Sequence, residues 1–182
     1  MFKELEILDE SNKILRNKSV DITEPLTKEE KKLVQRMIDQ LTYSQIEEYE
    51  KKYDLRPGMG LAFPQLGILK RLIVIVHEYE DGKFHNYVMI NPKIVSHSEE
   101  IIAADAGEGC LSVNRDVDGH VPRYARITVE GLDENLKKFS IRAREELAIA
   151  FQHEIDHLDG ILFYDRINKK RPFYLEDEIR LI

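Results

Sequence analysis

Residues 147–160 read LAIAFQHEIDHLDG. The run is rich in Ala, Leu, Ile and Phe, long enough for a helix, and Gly160 stands where a helix commonly ends. Into this apolar segment the chain sets two histidines and a glutamate, side chains that are costly to bury unless each finds a partner. At 3.6 residues per turn, His153 and His157 lie about 40° apart around the axis and one turn apart along it, so they can share one ion. Glu154 sits about 60° from His157, on the flank of the pair, where it can face water at a metal without being a ligand. This is the H-E-x-x-H pattern, in which two imidazoles bind a metal and the glutamate serves as general base. Two ordinary hydrogen-bonded core histidines with an exposed Glu154 have the same spacing, so a third ligand has to decide.

The rest of the chain places this helix in an α+β fold. TKEEKKLVQRMIDQL opens with Thr27 and Glu30 in capping-box spacing, and Leu33, Val34, Met37, Ile38 and Leu41 share one helical face. Ser44 and Glu47 repeat that spacing, which predicts a break near Thr42 and a second short helix over IEEYEKKY. From Arg71 the texture changes to β-rich runs, RLIVIV, NYVMINPKIV, EEIIAAD, ARITVEGL and KKFSIRA, punctuated by Gly82, Pro92, Gly119 and the 133–135 turn. The connections are too short to hold the helices of a parallel sheet. Helical character returns over about 143–158. The expected architecture is mainly antiparallel β-sheet packed around the helix that carries HExxH, with helices at the N-terminal side, in one domain spanning 1–182.

Composition narrows the function classes. A chain of 182 residues can bury a core without staples, and Cys110, its only cysteine, allows no intrachain disulfide, which suggests a reducing compartment. The N-terminus lacks the apolar run of a secretory signal, and no segment has the length of a bilayer span, so a cytoplasmic protein without membrane contact is expected. A net charge of −7 argues against a broad nucleic-acid footprint.

Three places could supply the third ligand. The extended H-E-x-x-H-x-x-G-x-x-H pattern holds as far as Gly160 but has Phe at 163. Glu176 or Glu178 in YLEDEIRLI could serve, as in a zinc metalloprotease, although an acidic run there is more often a solvated terminus. Cys110, in AGEGCLSV, is flanked by Gly107 and Gly109, and a thiolate with two imidazoles suits zinc or ferrous iron with one position left open. GMGLAFPQLG, residues 58–67, adds a second glycine-rich loop. There Pro64 disfavours helix at Phe63, and Gln65 offers an amide donor. His77, His85, His97 and His120 lack partner spacing and read as surface or loop histidines.

GMGLAFPQ, EGCLS and QHEIDHLDG, in this order, resemble the three signature motifs of peptide deformylases, enzymes that remove the formyl group from the initiator methionine of new polypeptides. The resemblance covers roughly residues 56–165, and VNRDVDG after the second motif is similar to the longer form common in Gram-positive bacteria. It implies metal ligation by Cys110, His153 and His157, general acid/base work by Glu154, and oxyanion stabilisation by Gln65 and the Leu111 N–H. It also implies one divalent ion, natively Fe2+, with Zn2+, Ni2+ or Co2+ able to replace it. Ile149 and Ala150, one turn before His153, with Met59, Gly60 and Gly109 from the glycine loops, are expected to line the substrate pocket. The implied partner is the formyl-methionyl nascent peptide, met in transient association with the ribosome. The acidic C-terminal end lacks the basic helix by which some members dock there. Phe63 replaces the usual second alanine of the first motif and is expected to alter the nearby cleft. Two readings compete: Cys110 as a nucleophile with a histidine base, and a non-catalytic metal-stabilised module that binds peptides.

Overall fold

The structure, a computed structural model, describes residues 2–173 and 179–182. After an N-terminal leader come α1 (Lys28–Ser44), α2 (Glu47–Tyr53) and β1 (Gly60–Ala62). Strands β2 (Leu72–Glu78), β3 (Phe84–His97), β4 (Ile101–Ala103), β5 (Arg123–Tyr124), β6 (Arg126–Leu132) and β7 (Lys138–Arg144) follow. Then come α3 (Glu145–Leu158) and β8 (Arg180–Leu181). Strands β1-β2-β3-β6-β7 form an antiparallel sheet, and β5-β4-β8 form a smaller one in which β8 runs parallel to β4.

The run RLIVIV explains how the layers stack. Side chains alternate across a strand. Ile73 and Ile75 of β2 therefore join Ala62, Met89, Ile127 and Val129 against Leu147, Ala148, Phe151, Ile155 and Leu158 of α3. Leu72, Val74 and Val76 face the other way, onto Val34, Met37 and Leu41 of α1. The sheet is thus covered on both faces, and β2 is buried from Leu72 to Val76. The motif-bearing helix is held against it along its length.

The α+β reading, the antiparallel sheet and both helical ends are as expected, and four local expectations change. Thr27 and Glu30 do form a reciprocal capping box, but Ser44 does not cap α2. It remains in α1, its Oγ donating to the Leu41 carbonyl, and Ile46 occupies the cap without a side-chain hydrogen bond. The break accordingly falls at Gln45–Ile46 rather than Thr42. Pro92 lies inside β3, where Asn91 takes φ +50° and the pairing with β6 shifts between Ile90 and Lys93. A bulge absorbs the missing N–H without ending the strand. Phe63 opens a 3-10 turn, Phe63–Leu66, because a tight turn tolerates proline in its first positions. His120 lies in a loop, as read, but is buried there and not at the surface. Strands β1, β5 and β8 are only two or three residues long, too short to leave a periodicity.

Candidate metal centre

Helix α3 buries every residue from Ala150 to Leu158, the two histidines and Glu154 included. Cys110 comes from the loop between β4 and β5. Its sulfur and one nitrogen of each of His153 and His157 all lie within 4.8 Å of one another, and the Sγ of Cys110 is 3.3 Å from Nε2 of His157. It is the only such cluster of three among the described residues.

The ring orientations suit a shared ion. Glu108 Oε2 lies 2.9 Å from Nδ1 of His153, which leaves Nε2 for the cluster. Arg123 donates to both oxygens of Glu108, at 2.7 and 2.9 Å, and to Asp156 at 2.6 Å, and Arg166 completes the chain by donating to Asp156 at 2.5 Å. Burial works to raise the Glu108 carboxyl, yet its bonds to Arg123 and His153 prevail and lower it to about 2. Burial and the neighbouring His153 push His157 well below the usual imidazole range, leaving a neutral ring with a lone pair. Phe163, where the extended motif would place a third histidine, stacks on the His153 ring at 6.0 Å and 19°. Glu176 and Glu178 lie outside the described residues.

Glu154 has a different environment. Burial raises its carboxyl to about 7, and Oε2 has no hydrogen-bond partner among the described residues. Gly60 makes room for it: a Cβ there would sit 2.3 Å from Oε1 of Glu154. Gln65 is fixed by the Ala62 N–H donating to its Oε1 at 2.9 Å. That turns Nε2 toward Oγ of Ser112, at 3.1 Å, and Sγ of Cys110, at 3.8 Å. A cavity of about 420 Å³ opens onto Cys110, His153 and Glu154. Met59, Gly60, Gly109, Leu111, Ile149 and Ala150 all line it, as does Gln65.

One expectation needs correction. Phe63 is fully buried in the core beneath α1 and does not line the cavity, so the replaced alanine leaves the cleft's wall alone. Gly109 lines the cavity, and nothing lies within 4 Å of where its Cβ would be. Ala150 serves both the core and the cavity wall, whereas Ile149 is outside the core cluster.

The sequence reading missed Glu108, Arg123 and the leader. Glu108 sat visibly beside Cys110, but the buried position of Arg123 on a two-residue strand leaves no sequence signal. The leader straps both motif loops, Leu8 N–H donating to the Gln65 carbonyl at 2.8 Å and Glu10 N–H to that of Ser112 at 2.7 Å.

The donor set of one thiol and two imidazoles, with an unpartnered carboxyl alongside, fits a divalent transition metal and leaves room for a substrate. That arrangement, on a helix packed against antiparallel sheet, defines a metal-dependent hydrolase of α+β fold. The chain belongs to the polypeptide deformylase family, whose model matches residues 4–173. It is 44% identical over 173 residues to peptide deformylase 2 of Bacillus cereus, covering 95% of this chain and 94% of that protein. It is 46% identical over 175 residues to peptide deformylase of Listeria monocytogenes serotype 4a, covering 96% and 95%. Among solved structures, a probable peptide deformylase from Synechococcus phage S-SSM7 superposes with TM-score 0.73 at 36% identity, over 90% of this chain and 100% of that one. The Met-Ala-Ser-bound peptide deformylase of Acinetobacter baumannii gives TM-score 0.72 at 28% identity, over 92% and 100%. The chain is therefore an enzyme of N-terminal protein processing, a metal-dependent hydrolase that removes the N-formyl group from nascent peptides.

Proposed function

We propose that deformylation takes place at the Cys110, His153 and His157 cluster, and that the three side chains hold one divalent ion, Fe2+ in the native enzyme. The carrying observation is the convergence of these three side chains on one point, with Glu154 buried beside them and the cavity opening onto both. Zn2+ competes for such a site because it stands above Fe2+ in intrinsic affinity, and Ni2+ or Co2+ can also fill it.

When bound, the ion would supply Lewis acidity, lowering the pKa of water from about 16 towards 7 and polarising the formyl carbonyl. The protein's own groups do the rest. Glu154 takes the proton from the attacking water and returns it to the leaving amine, so that formate and a free N-terminus depart. Burial raises its carboxyl to about 7, and a cation held by the three side chains would favour the ionised form that accepts a proton. Nε2 of Gln65 and the Leu111 N–H donate to the oxyanion as it develops. The substrate pocket is formed by Met59, Gly60, Gly109, Ile149 and Ala150, with Ile149, Ala150 and Met59 enclosing the methionine side chain. The Met-Ala-Ser ligand of the Acinetobacter relative is a tripeptide of the kind this cavity would take.

Residues 1–182 make up one domain, acting in the cytoplasm on formyl-methionyl chains in transient association with the ribosome. No helix among the described residues is long and apolar enough to cross a membrane. Formate release from formyl-Met-Ala-Ser by protein prepared anaerobically with Fe2+ tests the reading. Release should disappear on chelation and return with metal. Fully metallated protein that releases no formate would overturn it.

A further inference from the structure

Arg56 opens RPGMG, and nothing in its sequence setting marks it as functional. In the folded chain its guanidinium reaches across to the second motif loop and binds four acceptors there. Nη2 donates to the carbonyls of Cys110, at 2.9 Å, and Val113, at 3.0 Å. Nη1 donates to Oδ1 of Asn114, at 2.6 Å, and to the Leu111 carbonyl, at 3.3 Å. No carboxylate pairs with Arg56 among the described residues, so its charge is directed entirely at these oxygens.

The consequence follows from peptide geometry. A peptide unit is planar and trans, so its C=O and N–H point in opposite directions. No cis peptide occurs among the described residues. The carbonyl of Cys110 and the N–H of Leu111 belong to one such unit. Holding that carbonyl on Arg56 therefore fixes the Leu111 N–H away from Arg56, and this N–H has no protein acceptor among the described residues. The Val113 N–H donates to the same Cys110 carbonyl at 3.0 Å, and Glu10 N–H holds the next carbonyl but one, that of Ser112, at 2.7 Å. Every carbonyl from Cys110 to Val113 is thus engaged.

We infer that Arg56 is a positioning residue for deformylation, which holds the Cys110–Leu111 peptide so that the Leu111 N–H stays aimed at the developing oxyanion. Arg56 lines the cavity, but its hydrogen bonds go to that peptide and its neighbours, and it acts through them. Lysine cannot replace it, because one ammonium lacks the planar fork needed to span four acceptors. The inference rests on the deformylase reading and on Leu111 as an oxyanion donor.

The test compares wild type, Arg56→Lys and Arg56→Ala, each loaded with Ni2+ and assayed on formyl-Met-Ala-Ser, with metal content measured beside kcat and KM. An orienting group misplaced by about an ångström costs on the order of a hundredfold in rate. The expected result is a tenfold to hundredfold loss in kcat for both variants, with KM and metal content near wild type. Guanidinium ion at millimolar concentration should restore part of the rate to Arg56→Ala and none to Arg56→Lys, a rescue that a purely structural defect would not show. If Arg56→Ala does not fold, Arg56→Lys carries the kcat comparison alone. Wild-type kcat in Arg56→Lys, a loss confined to KM, or a loss that tracks missing metal would each overturn the inference. An inactive metallated wild type would instead overturn the deformylase reading.

Discussion

Glu154 carries the largest expected effect of any single side chain. Replacing it by Gln keeps its size, its place against Gly60 and its hydrogen-bonding reach, and removes only its capacity to accept a proton. Glu154→Gln is expected to lower kcat by about 10²–10⁴-fold, the usual range for a positioned general base, and to retain bound metal. Measured turnover close to wild type at full metal occupancy would remove Glu154 from the mechanism. It would also reopen the reading that Cys110 is the nucleophile.

Strand β5 consists of two residues, yet it connects the loop bearing Cys110 to the helix bearing both histidines. Arg123 makes that connection through Glu108 on one side and Asp156 on the other, and all three side chains are nearly inaccessible to solvent. Buried charges so arranged are costly to strand: removing one partner of a buried pair typically destabilises by about 3–5 kcal/mol. For a chain of this length Arg123→Met should lower the melting temperature by on the order of 10 °C. Because Glu108 also sets the orientation of His153, metal affinity should weaken in the same variant. Calorimetry with a metal titration checks both, and an unchanged melting temperature would show that the network contributes specificity without net stability.

At the scale of the whole molecule, the metal and the fold are linked. The three proposed ligands come from two segments more than forty residues apart in sequence, and an ion bound to them would favour only the folded chain. Free metal at 100 times its dissociation constant stabilises by about 2.7 kcal/mol, worth roughly 5–10 °C here. A thermal scan before and after chelation should show that drop, and restored metal should reverse it. A chain whose melting is indifferent to chelator would not hold its ion through these residues.

The sequence by itself determined the amphipathic α1 with its Thr27–Glu30 cap, the strand runs and the HExxH helix, and it singled out Cys110, which the fold brings to the two histidines. Each of these is written in local periodicity or in a short motif that survives without its neighbours. The tertiary structure alone decided what surrounds them. Arg123, Glu108, Arg56 and the leader act on groups tens of residues away, and hydrogen bonds of that span leave no period or spacing in the chain. Phe63 makes the same point in reverse: its position inside a motif suggested the cleft, but the 3-10 turn rotates it into the core. Ser44 is a further case, since the cap spacing was present while packing and the bond to Leu41 kept the residue in α1. Patterns repeat along the chain and can be read there, whereas the partner of a single side chain is fixed only when the layers close.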